Sequence, residues 1–128
     1  GGTVGKNMGD VVSRGINLLI PIGLEKNISS SVTQISKSIG SQEFEKSMGT
    51  KVGLWPLYGT VITEIEALSI LFGVDAFQIG AGGIGAGRGS ITLGIEGSKR
   101  KVSRAFELLE EVKGEPELKP EGRYPHRQ

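Results

Sequence analysis

The chain has 128 residues, is 37% apolar and carries a formal charge of +1 at pH 7. That length supports one domain with its own core, and a charge near zero selects neither nucleic acid nor an acidic surface as partner. With no cysteine, disulfides, thiolate nucleophiles and cysteine-based zinc sites are excluded. Aromatic residues make up only 5% of the chain, which argues against a base-stacking platform for single-stranded nucleic acid. No apolar run is long enough to cross a bilayer and no signal-peptide pattern opens the chain, so a cytoplasmic protein is expected. The opening Gly1-Gly2-Thr3, without a starting Met, suggests a piece of a longer protein.

In chain order, residues 5–14 predict a short helix with Met8, Val11 and Val12 on one face and Gly15 as its stop. The run Ile16–Ile22 is almost continuously apolar and predicts a strand buried on both faces, with pairing ending near Pro21. Ser29, Ser30 and Ser31 offer N-caps to a helix carrying Val32, Ile35 and Ile39 and closed by Gly40. A helical turn over Ser41–Met48 and a second strand over Lys51–Leu57 follow.

Thr60 then reads as the N-cap of the clearest helix, with Glu64 and Glu66 near its positive end. Val61, Ile65, Leu68 and Phe72 form its apolar stripe, and Gly73 is its natural C′ residue. Val74–Ile79 predicts a third strand. After a glycine-rich loop, Ile91, Leu93 and Ile95 alternate with polar or small residues, predicting a fourth strand antiparallel to the third. Ser98 opens a last helix running to Lys113, with Val102, Ala105, Phe106, Leu109 and Val112 on its buried face. Residues 114–128, rich in Pro, Glu, Lys and Arg, predict an extended or disordered tail.

This order predicts a single α/β domain over residues 1–113. About four strands form a mostly parallel sheet in two or three layers, with flanking helices and an antiparallel edge hairpin. The stretch from Lys51 to Lys113, read as β-α-β-β-α, is similar in element order to part of a ferredoxin-like fold. That likeness carries no residue roles with it.

Glycine supplies 21 residues, about twice the usual share, and several follow apolar runs where ligands gather at strand ends. Three loops are therefore candidates. In the first, Gly23 precedes Glu25 and Lys26, a carboxylate to act as base and an ammonium to hold an anion. In the second, Gly59 and Thr60 precede a helix whose free N–H groups favour anions. In the third, Gly82, Gly83 and Arg88 lie in a loop whose Gly80–Gly85 segment matches G-x-G-x-x-G by letter. No helix follows those glycines, so the dinucleotide reading is disfavoured against a flexible hairpin or an anion-binding loop.

Lys99, Arg100 and Lys101 place positive charge where the last helix's own dipole disfavours it, which a bound anion or pairing along the helix would offset. The sole histidine, His126, lies in the tail, and no metal spacing or nucleophilic triad is present. Two functions follow as expectations. The first is a domain binding a small phosphate- or carboxylate-bearing metabolite, as part of a metabolic enzyme of unknown cofactor. The second is a non-catalytic homo-oligomerising or regulatory module. Nucleic acid and membrane are not expected as partners.

Overall fold

A computed structural model of the chain describes residues 2–40, 44–85 and 88–113. The elements run α1 (Gly2–Ser13), β1 (Leu19–Pro21), a single 3₁₀ turn (Leu24–Lys26), α2 (Val32–Ser38), β2 (Thr60–Ile62), α3 (Glu64–Phe72), β3 (Asp75–Ala81), β4 (Ile91–Glu96) and α4 (Lys99–Lys113). The chain is thus a mixed helix-and-strand protein. The described strands fall into two two-stranded sheets, β1 parallel to β2 and β3 antiparallel to β4.

The predicted four-stranded, mostly parallel sheet is therefore replaced by two separate pairs. Parallel pairing occurs once, between β1 and β2, and β3 joins its hairpin partner alone. The ferredoxin-like order survives over β2-α3-β3-β4-α4, but β2 bonds to β1 rather than to the hairpin, so that sheet does not form.

The second strand lies at Thr60–Ile62, not at Lys51–Leu57. Gly53 and Pro56 weaken the earlier run, since glycine gives nothing to pack and proline cannot donate to a ladder. Thr60, Val61 and Ile62 are all β-branched and fit an extended backbone. The β1 ladder is also shorter than Ile16–Ile22. It is flanked by Thr60 N–H donating to Leu18 O (2.8 Å) and Ile22 N–H donating to Ile62 O (3.0 Å). Leu19 is 67% exposed, so β1 is not the doubly buried strand its composition predicts.

Gly59 belongs to this pair for a steric reason. A Cβ there would collide with the Leu18 carbonyl oxygen, so only glycine lets the two backbones approach.

The helices follow their local signals more closely. Ser31 caps α2, accepting from Gln34 N–H (3.5 Å). The turn predicted over Ser41–Met48 is not helical at residues 44–48, and its first three residues lie outside the described ones. The predicted tail and His126 lie outside them too. Gly73 ends α3 in the left-handed conformation (φ 63°), donating to Ser69 O at 2.8 Å. At this point the chain needs a residue free of the Cβ penalty to leave α3 and turn towards β3.

The core sits where α3 and α4 meet one face of the β3–β4 hairpin. Leu68, Val74 and Ala105 are its buried apolar residues, surrounded by half-buried Phe72, Ala76, Leu93, Ile95, Val102 and Leu109. Arg104 lies 5.9 Å from the centroid of the Phe72 ring, closing the edge of this core by a cation–π contact. Trp55 is 68% exposed and lines a groove with Met8, Val11 and Val12 of α1.

Gly59→Ala is expected to lower stability by about 1–3 kcal/mol, because the new methyl meets backbone that cannot swing aside. Gly49→Ala, where a Cβ meets nothing within 4 Å, serves as the control. Equal urea midpoints for the two variants would remove the steric role given to Gly59.

Candidate functional site

The parallel pairing of β1 with β2 decides which loops share an edge. Leu19 faces Thr60 and Pro21 faces Ile62. Gly23, Glu25 and Lys26 therefore leave one end of the pair, whereas Gly59 and Thr60 enter at the other. Glu25 and Thr60, both expected to contact a ligand, therefore lie at opposite ends of the pair. Thr60 is the first residue of a strand, its N–H already bonded to Leu18 O (2.8 Å), and it presents no helix N-terminus.

The residues that do meet the Gly23–Lys26 turn are Thr63 and Glu64. Leu24 N–H donates to Glu64 Oε2 (2.9 Å), so the start of α3 holds the turn after β1. The helix cap is Thr63. Its hydroxyl oxygen accepts from Ile65 N–H (3.2 Å), while Thr63 N–H donates to Glu66 Oε2 (2.7 Å) and its hydroxyl donates to the same oxygen. This is a capping box, and the sequence carries its signature, Thr63-x-x-Glu66, immediately before an apolar run. That signal, together with the β-branched Thr60–Ile62 run, marks the helix start three residues after Thr60.

Two shallow clefts flank the 3₁₀ turn. One, of about 170 Å³, brings Glu25 and Asn27 against Gly82, Gly89, Ser90 and Gln78 of the hairpin. Glu25 and Gly82 thus line one cleft. The hairpin side is closed by Gly82 N–H donating to Ser90 O (3.0 Å) and by the Ser90 hydroxyl donating to Gly82 O (2.5 Å).

The other cleft, of about 350 Å³, places Gly23 and Lys26 beside Val61, Thr63 and Ile22. The cations are thus dispersed. Lys26 lines the second cleft, Arg88 lines neither and is exposed near the hairpin tip, and Gly83 is exposed in the same loop. A Cβ at Gly23 would run into the Glu25 carboxylate, which folds back over the turn. That glycine makes room for a side chain of its own loop.

Lys101 also finds a partner within the fold. Its ammonium donates to the Gly73 carbonyl oxygen (3.2 Å) at the C-terminal end of α3. The charge that its own helix disfavours is favourable at the end of its neighbour, and no bound anion is needed to explain it. Among the described residues, no three His, Asp or Glu side chains gather as a metal site, and no helix is long and apolar enough to cross a membrane. No protein-family model matches the chain, and no curated protein or solved structure shows significant similarity to it.

The capping box titrates. The Thr63 hydroxyl, and after it the Thr63 N–H, hold the Glu66 carboxyl below the usual carboxylate range. A carboxyl with a depressed folded-state pKa stabilises above its unfolded value and loses that contribution as pH falls through the folded value. Glu66→Gln is therefore expected to be less stable than the parent at neutral pH, with the difference closing below the ordinary carboxylate pKa of about 4.3. A deficit that stays constant in thermal melts from neutral to acid pH would mean the carboxylate charge is not its source. Thr63→Ala, which removes the cap itself, should cost about 1 kcal/mol.

Proposed function

We propose that this chain is a non-catalytic homo-oligomerising module that presents its β3–β4 hairpin to a partner. The observation carrying this reading is the uncovered outer face of the hairpin. The inner face meets α3 and α4 through Ala76, Leu93 and Ile95. On the outer face Phe77 is 50% exposed and Ile79 is 65% exposed.

Apolar surface left in water costs about 25 cal/mol per Å², so association that covers it is favourable. Sedimentation velocity across roughly micromolar to several hundred micromolar protein should give a mass above one chain that rises with concentration. A single species of 13.5 kDa over that whole range would overturn the reading.

A second reading is favoured by the convergence of Glu25 and Gly82 on one cleft. Glu25, Asn27, Gln78 and Ser90 there offer a carboxylate, two amides and a hydroxyl. That set complements a small ligand rich in hydroxyl or amine donors better than the phosphate or carboxylate metabolite expected from sequence. At about 170 Å³ the space suits a few heavy atoms, below the usual ~300 Å³ of a metabolite pocket. Thermal-shift titration with small polyols and amines should raise the melting temperature if this cleft is a site. A rise with phosphate or dicarboxylates instead would restore the anion reading, and no rise with any of them would leave the cleft structural.

A further inference from the structure

Resting on the homo-oligomer reading, we infer that two copies of this chain pair through the outer faces of their hairpins, laid antiparallel about a two-fold axis. Arg88 of each copy then meets Asp75 and Glu96 of the other.

The argument begins with the ladder register. Asp75 faces Glu96, and Phe77 faces Gly94. Because Ala76 and Ile95 point to the helices, strand alternation places Asp75, Phe77, Gly94 and Glu96 on the outer face. A Cβ at Gly94 would lie 2.5 Å from the Phe77 ring and 3.1 Å from Ile79 Cδ1, so both side chains lie across that glycine. The middle of the face is apolar and flattened by the missing side chain.

Its two ends differ in charge. Asp75 and Glu96 are both exposed and stand directly opposite one another at the base of the hairpin. Like charges in that position repel, so a cation set between them is stabilising. Arg88, also exposed, stands at the tip, beyond the seven residues of β3, which span about 20 Å. From base to tip the exposed residues of the hairpin therefore read acidic, apolar, basic.

Such a stripe is complementary to itself when one copy is turned end for end, which is the condition for an isologous two-fold interface. The net charge of +1 sets up no global repulsion against a second copy. Two strands cover less than the ~800 Å² per partner of a standard interface, so a dimer of micromolar strength is expected. The in-chain competitors for the acid pair are Lys99 and Arg100, which follow Glu96 closely at the start of α4; Lys101 is engaged by Gly73.

Sedimentation of the full chain and five variants tests the pairing, with far-UV circular dichroism verifying each fold. R88E alone, or D75K/E96K together, should weaken the dimer about tenfold or more. Combining R88E with D75K/E96K, which exchanges the charges of tip and base, should bring the dissociation constant back to within about threefold of the parent. R100E, the in-chain control, should change it less than R88E does, and F77S should remove the dimer.

A parent chain that dimerises while R88E is neutral, or while the exchanged variant stays weak, overturns this geometry but leaves self-association standing. So does an R100E effect as large as that of R88E, or a dimer unchanged in folded F77S. A parent that never dimerises overturns both. Should F77S fail to fold, the charge exchange alone decides.

Discussion

A two-stranded hairpin has two faces, and a pair of helices on one side can cover only one of them. The architecture of the C-terminal half follows from that constraint. Val74, 1% exposed, lies between the left-handed Gly73 and the first residue of β3, against Leu68 and Ala105. The same short connection lets Lys101 reach the Gly73 carbonyl, so α3 and α4 are tied where the chain turns into the hairpin. Everything apolar that points the other way, Phe77 and Ile79 foremost, is left to water or to another protein.

What the amino-acid order revealed depended on how local the cause was. The C-terminal end of α3 at Gly73, the alternation of β4 and the Val102, Ala105 and Leu109 positions of α4 each depend on a few neighbouring residues, and each is legible; Phe106 and Val112, expected on the same buried face, are 54% and 49% exposed. Strand pairing is non-local. A three-residue strand such as β1 or β2 has too few positions for its periodicity to show, and its partner is chosen by backbone contact far along the chain. The Lys51–Leu57 run outshone Thr60–Ile62 by apolar content alone, although Gly53 and Pro56 spoil it as a ladder. With the strand at Thr60–Ile62, the helix cap falls on Thr63 rather than Thr60, and Thr60 lies at the far end of the pair from Glu25.

Glycine after an apolar run proved an ambiguous guide to ligand contacts for a related reason. Gly59 admits the neighbouring strand, Gly23 admits the Glu25 carboxylate and Gly94 admits the Phe77 ring. In each case the space vacated by a side chain is taken by the protein's own atoms. Of the expected site glycines, Gly82 shares a cleft with Glu25. The basic run at the start of α4 has the same character. It looks misplaced along its own helix, but one of its charges complements the end of the helix beside it, a relation that exists only after the two helices pack.

The hairpin register contains one further feature, an irregularity in the middle of β3. Gln78 pairs with Leu93 and Gly80 with Thr92, so Ile79 is the extra residue of a β-bulge. Ile79 thus adds an outward apolar side chain while Gln78 and Ala81 stay in register with Leu93 and Ile91, and the strand bends and twists more strongly where it is accommodated.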